Sequence, residues 1–145
     1  MITAKRQAKR ILIADDEPGV IMILRMRLRA NGYDVIAAHD GMQAIELAHR
    51  EKPDLIVLDI RMPDKDGYAV FEELRASANT RSTPVVFFSA LPPEQAEEKA
   101  TQLGADGFVS KSADPEEIVL RIKDIFDRIE NSPGTNCAKE MISRA

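Results

Sequence analysis

Residues 55–66 read LIVLDIRMPDKD. Four apolar residues in a row describe a short strand buried on both faces. The run then ends without transition in Asp59, a charged group where a buried strand would still take an apolar side chain. A few residues on, a segment of helical period begins at about residue 66. Strand, carboxylate, loop and helix therefore come in that order.

The same unit recurs outward in both directions. Short apolar runs lie at 11–14, 33–38, 84–88 and 107–109, in addition to 55–58. Between and after them, segments at about 17–31, 41–51, 66–77, 93–104 and 115–130 carry apolar residues on one side at helical spacing. Five strands alternating with five helices predict a doubly wound (βα)5 α/β sandwich with a five-stranded parallel sheet, flavodoxin-like in class. The last helix has its own start signal in Asp114, Pro115 and Glu117, as N-cap, first-turn proline and capping-box acid.

The chain has 145 residues, enough for one domain with a sizeable core. Twenty basic residues stand against 24 acidic ones, a formal charge of −4, so no broad cationic field favours direct nucleic-acid binding. Apolar runs reach only about five residues, far short of the ~18 that span a bilayer, and the N-terminus has no secretory signal. A cytoplasmic location without membrane contact is expected. The single cysteine, Cys137, has no partner for a disulfide and no second thiol for a metal. The expected division is an N-terminal tail at 1–9, one domain at 10–130, and a C-terminal tail or linker stub at 131–145.

Ligands of an open parallel sheet bind beyond the carboxyl ends of its strands. Here the first strand ends at Asp15 and Asp16, the third at Asp59, the fourth at Ser89, and the fifth runs into Lys111. Any one of these acids alone is equally well a helix cap or a turn residue. Together, three carboxylates repel, by roughly 4 kcal/mol per pair at ~4 Å and an effective dielectric of 20. A cation must offset that repulsion. A hard divalent ion such as Mg²⁺ suits an all-oxygen donor set, and Lys111 adds a further positive charge. An aspartate beside a metal and a lysine can act as nucleophile toward a phosphoryl group, giving an aspartyl phosphate.

The motifs ILIADDEP, DLIVLDIRMPDKDG, PVVFFSA and GADGFVSK, in this order and spacing, resemble the receiver domain of two-component response regulators over about residues 9–130, in the single-domain form typified by chemotaxis response regulators. The resemblance implies that Asp59 accepts phosphate from a phosphohistidine of a histidine kinase or histidine phosphotransfer protein. It further implies that Asp15, Asp16, Asp59 and the backbone carbonyl of Arg61 hold Mg²⁺ (or Mn²⁺), Asp15 mainly through water. Ser89 would offer its hydroxyl to the phosphoryl group, Lys111 would pair with it, and Phe108 would be the aromatic that rotates on activation. Gly67 and Pro63 would shape the loop after Asp59. An unknown downstream protein would be contacted, and a phosphorylation-dependent dimer is compatible with the family.

Two residues depart from the pattern. Ser89 stands where threonine is common, keeping the hydroxyl and losing a methyl. Ser112 stands where the family usually has proline after a cis peptide, a bond that costs ~2.5–4 kcal/mol before any other residue, so the loop at Lys111 is expected to be built differently.

Other classes fit less well. A haloacid-dehalogenase-type phosphohydrolase would need a second Asp where Arg61 stands, and neither the P-loop nor the dinucleotide glycine pattern occurs. His39 and His49 sit in no phosphorylation box and are expected to be ordinary surface or boundary residues. A stand-alone receiver, acting by protein contact or phosphorelay, is the expected arrangement. The alternative is the receiver half of a longer regulator with its output domain elsewhere.

Two helices carry expectations about partners and motion. In the fourth, Ala96, Ala100 and Leu103 are small or modest core residues, predicting a weak grip on the sheet. In the first, Val20, Ile21, Leu24 and Leu28 form a stripe for the sheet, while Met22 and Met26 point the opposite way with Ile23 at the flank. Packing against the last helix or a folded-back tail is the more economical explanation of that second stripe. The sharper one is docking to the helical bundle of the phosphodonor, with Arg25 and Arg29 steering toward an acidic partner.

Overall fold

The computed structural model describes residues 8–131. Ten elements alternate: β1 (Arg10–Ala14), α1 (Pro18–Ala30), β2 (Asp34–Ala38), α2 (Gly41–Glu51), β3 (Leu55–Leu58), α3 (Gly67–Ala76), β4 (Val85–Ser89), α4 (Pro93–Leu103), β5 (Gly107–Ser110) and α5 (Pro115–Glu130). The strands form one sheet in the order β2-β1-β3-β4-β5, with every pair parallel. The doubly wound (βα)5 expectation therefore holds. Residues 1–7 and 132–145, with most of the two expected tails and Cys137, lie outside the described residues.

Side-chain alternation along the strands divides the core in two. Leu12, Ala14, Ile56, Leu58 and Phe87 face a cluster completed by α2, α3 and α4. Ile11, Ile13, Val57, Val86 and Phe88 face the opposite cluster, completed by α1 and α5. Both faces are covered, which is why β3 is apolar throughout and β4 is apolar up to Ser89. The helices differ in grip: α5 buries Ile118, Val119, Ile122, Ile125 and Phe126, whereas α4 buries only Ala96 and Ala100. Leu103 is half-buried at the edge of its cluster. Full burial of a branched side chain contributes roughly 1.5–3 kcal/mol, so α4 is held much less firmly.

Register then sets the position of the acids. Ala14 pairs with Leu58 and also with Ala38, and the ladder runs one step further, because the Asp59 N–H donates to the Ala14 carbonyl at 2.9 Å and the Asp15 N–H to the Ala38 carbonyl at 3.1 Å. Asp15 and Asp59 thus leave the sheet at the same level on adjacent strands, where the strand order reverses direction around β1. Such switch points open a crevice at the carboxyl edge.

Candidate functional site

Asp15, Asp16 and Asp59 bring carboxylate oxygens within 4.8 Å of one another. Asp15 and Asp59 are buried, at 1% and 3% exposed, and Asp16 faces solvent. Lys111, arriving from the end of β5, places Nζ 2.8 Å from Asp15 Oδ2 and 3.3 Å from Asp59 Oδ2. Asp16, Asp59, Arg61, Ser89 and Lys111 line one cleft of ≈ 240 Å³, together with Glu17 and Ala90. The structure therefore gathers the residues expected from the strand ends.

Electrostatics follow from that packing. Burial pushes the Asp59 carboxyl up to about 6, and the charge of Asp15 adds to it, against the Lys111 ammonium and the Arg61 N–H. Burial also raises Asp15, overcoming its bonds from Lys111 and the Glu17 N–H. For Lys111 burial acts downward, but the hydrogen bond and charge of Asp15 and the charge of Asp59 outweigh it and the net direction is up. One ammonium is insufficient for two buried carboxylates. The shortage of positive charge, with donors that are all hard oxygens, fits a small divalent cation and not a thiol- or imidazole-seeking metal.

The loop after Asp59 is closed at its base. The Gly67 N–H donates to the Ile60 carbonyl at 2.7 Å, and a Cβ on Gly67 would collide with the Asp59 carbonyl oxygen and lie 2.8 Å from Ile60 Cα. Only glycine allows that approach. Ser89 is 1% exposed, and its Oγ accepts the Leu91 N–H at 3.2 Å. Phe108 is already turned into the core, 8% exposed among the residues of α2, α3 and α4.

The loop at Lys111 is indeed built without a cis peptide, since none occurs among the described residues. In its place the Lys111 N–H donates to the Ser89 carbonyl at 2.8 Å, Ser112 donates its N–H to Ser110 Oγ at 3.1 Å, and the two serine hydroxyls meet at 2.7 Å. A proline at 112 would have no N–H for that bond.

Two groups escaped sequence reasoning. Glu17, which follows the acid pair, sets Oε1 3.1 Å from Lys111 Nζ across 94 positions of chain. The run DDE at a strand end was its only signal. Asp64 reaches back to the start of α2, accepting the Gly41 and Met42 N–H groups. On α1, Ile21, Leu24 and Leu28 are buried as the stripe predicts, and Val20 is partly buried against them. Met22, Ile23 and Met26 are 59%, 49% and 65% exposed, so the second stripe is not packed under α5. A folded-back tail would fall outside the described residues. His39 is exposed and His49 half-buried. No helix among the described residues is long and apolar enough to cross a membrane.

Residues 11–123 match the model of the response regulator receiver domain. The probable transcriptional regulator ycf27 of Porphyridium aerugineum is 38% identical over 130 residues, covering 90% of this chain and 53% of its own length. The alkaline phosphatase synthesis transcriptional regulatory protein PhoP of Bacillus subtilis is 39% identical over 122 residues, 84% of this chain and 50% of its own. This chain thus spans about half the length of such relatives. Among solved structures, the receiver domain of the Francisella response regulator 1452 superposes with a TM-score of 0.77 at 28% identity, covering 83% of this chain and 98% of that one.

Proposed function

The chain belongs to the response regulator receiver domain family, and from that membership we propose that Asp59 is its phosphoacceptor, charged by a phosphohistidine with Mg²⁺ or Mn²⁺ bound at the acidic cluster. A receiver acts on itself, gaining and losing its own phosphoryl group. The observation that carries the assignment is Asp59 Oδ2 lying 3.3 Å from Lys111 Nζ in a cleft, with carboxylate oxygens of Asp15 and Asp16 within 4.8 Å.

In the proposed step an Asp59 carboxylate oxygen attacks phosphorus, the new O–P bond forms as the P–N bond to the donor imidazole breaks, and the leaving nitrogen takes a proton. Asp15, Asp16, Asp59 and the Arg61 carbonyl would hold the divalent ion, whose chemistry is to neutralise charge on the phosphoryl oxygens. Lys111 would exchange its carboxylate partners for a phosphoryl oxygen. The Ser89 hydroxyl, now accepting from Leu91, would donate to another and draw Ser89 toward the phosphoryl group, favouring the inward Phe108 and the arrangement of the α4, β5 and α5 face that goes with it.

The donor is proposed to be a histidine kinase or phosphotransfer protein whose helices meet Met22 and Met26. Continuity supports this: Ile23 and Pro115 line both the groove that holds Met26 and a second, apolar one that ends at Lys111. A path bordered by Ile23 and Pro115 therefore leads from Met26 to Lys111. Arg25 and Arg29 are proposed to steer an acidic partner toward it.

Intact-mass spectrometry after incubation with Mg²⁺ and a small acyl phosphodonor tests the acceptor. One acid-labile phosphoryl group is expected on the native chain and none on Asp59→Asn. Full labelling of Asp59→Asn would overturn the assignment. The half-length coverage of the relatives supports a second reading, in which this receiver is the regulatory half of a longer chain. Immunoblotting in the native source separates the two by apparent size.

A further inference from the structure

The loop that follows the proposed phosphoacceptor is fastened to a helix that takes no part in the site. Asp64, exposed at the tip of the β3–α3 loop, accepts the Gly41 N–H on Oδ1 and the Met42 N–H on Oδ2, each at 2.9 Å. The Lys65 N–H also reaches Oδ1, at 2.7 Å, and fixes the carboxylate in that orientation. Gly41 and Met42 open α2, so these are two of the four donors that a helix start leaves unpaired. The helix caps a third by itself, because Asp40 Oδ1 accepts the Gln43 N–H at 2.8 Å. Those backbone donors hold the Asp64 carboxyl below the usual carboxylate range, Met42 and Gly41 first, and a charged acceptor at the positive end of a helix is favoured.

Loop and helix also touch. A Cβ on Gly41 would lie 2.6 Å from the Lys65 carbonyl oxygen and 2.9 Å from Lys65 Cβ, so the backbones approach as closely as glycine permits. The loop is therefore closed at its base by Gly67 on Ile60 and bolted at its tip by Asp64 on α2. Arg61, whose carbonyl is the proposed backbone ligand, lies between the two fastenings.

We infer that Asp64 is a positioning residue for the metal site, holding the Arg61 carbonyl at its place by anchoring the loop to the first turn of α2. The inference rests on the metal site proposed above. A carbonyl ligand on an unpinned loop samples other orientations, and the ion must pay for ordering it.

The test is Mg²⁺ affinity of the full chain without phosphodonor. The chain has no tryptophan, so MgCl₂ titration is followed by amide NMR shifts on native protein, Asp64→Ala, Asp64→Asn and Asp40→Ala. Asp64→Ala is expected to raise the Kd roughly tenfold, the lower end of what loss of a supporting partner costs a metal site. Asp64→Asn keeps one acceptor oxygen and should fall between the two. Asp40→Ala removes the cap that α2 supplies to its own Gln43 N–H, leaves the Asp64 carboxylate in place, and should leave the Kd within about twofold. With a small acyl phosphodonor, the half-saturating Mg²⁺ concentration of Asp64→Ala should rise in step with its Kd, while the rate at saturating Mg²⁺ stays close to native. An unchanged Kd in Asp64→Ala, or an equal loss in Asp40→Ala, would overturn the inference and leave the site intact. Native protein that binds no Mg²⁺ would overturn the site itself.

Discussion

Replacing Asp59 with asparagine should make the metal-free protein more stable, although it removes the proposed phosphoacceptor. In the folded chain burial and Asp15 hold this carboxyl at about 6 instead of its ordinary 3.8. The folded state therefore binds the proton more tightly than the unfolded one. As pH rises through 3.8 the unfolded chain releases its proton first, and the folded state loses up to about 1.4 kcal/mol per pH unit until its own group ionises near 6. That interval amounts to a ceiling of roughly 3 kcal/mol, fully present above pH 6 and absent below pH 4. Asparagine keeps the shape and an acceptor oxygen and carries no charge, so Asp59→Asn escapes the penalty. Urea unfolding in EDTA, from pH 4 to pH 8, should show the two proteins converging at the acid end. At pH 7.5 the variant should be ahead by roughly 1–3 kcal/mol, equivalent to several degrees in Tm. Added Mg²⁺ should narrow the gap, because only the native site gains much from it. A variant no more stable than the native chain at pH 7.5, or a gap that ignores pH, would refute the electrostatic account of the site.

Lys111→Ala removes the only cation within reach of Asp15 and Asp59 among the described residues, and should push the Asp59 carboxyl above about 6, seen as a shifted titration of its side-chain carbon by NMR. The same variant should lose at least about tenfold in labelling rate by a small phosphodonor, since one stabilising charge at a transferring phosphoryl group is typically worth that or more. Met22→Ser with Met26→Ser should slow transfer from the cognate phosphodonor protein while leaving small-donor labelling unchanged; loss with both donors would signal misfolding, and loss with neither would mean that the stripe is not the docking face. Ile122→Ala, at a fully buried position of α5, should cost about 2–5 kcal/mol in urea unfolding. Hydrogen exchange should find the amides of α4 less protected than those of α5, in keeping with two buried alanines against five larger residues.

Strand and helix identity was legible in the chain because burial on both faces writes itself as unbroken apolar runs, and burial on one face as a period near 3.6. The strands at 55–58 and the helix at 41–51 match the sequence reading residue for residue. So does the chemistry at the strand ends: Asp15, Asp59 and Ser89 are polar residues in places where the pattern calls for apolar ones, and that local contradiction marks a site. Strand order and register are different in kind. They depend on pairing between segments far apart, and pairing Ala14 with Leu58 is what turns two separate acids into neighbours. Glu17 on Lys111, Asp64 on the start of α2, and the Ser110–Ser112 turn in place of a cis proline likewise require the folded chain. Each depends on where a side chain arrives after the backbone has crossed the sheet or turned a corner, a distance in space that spacing along the sequence does not encode.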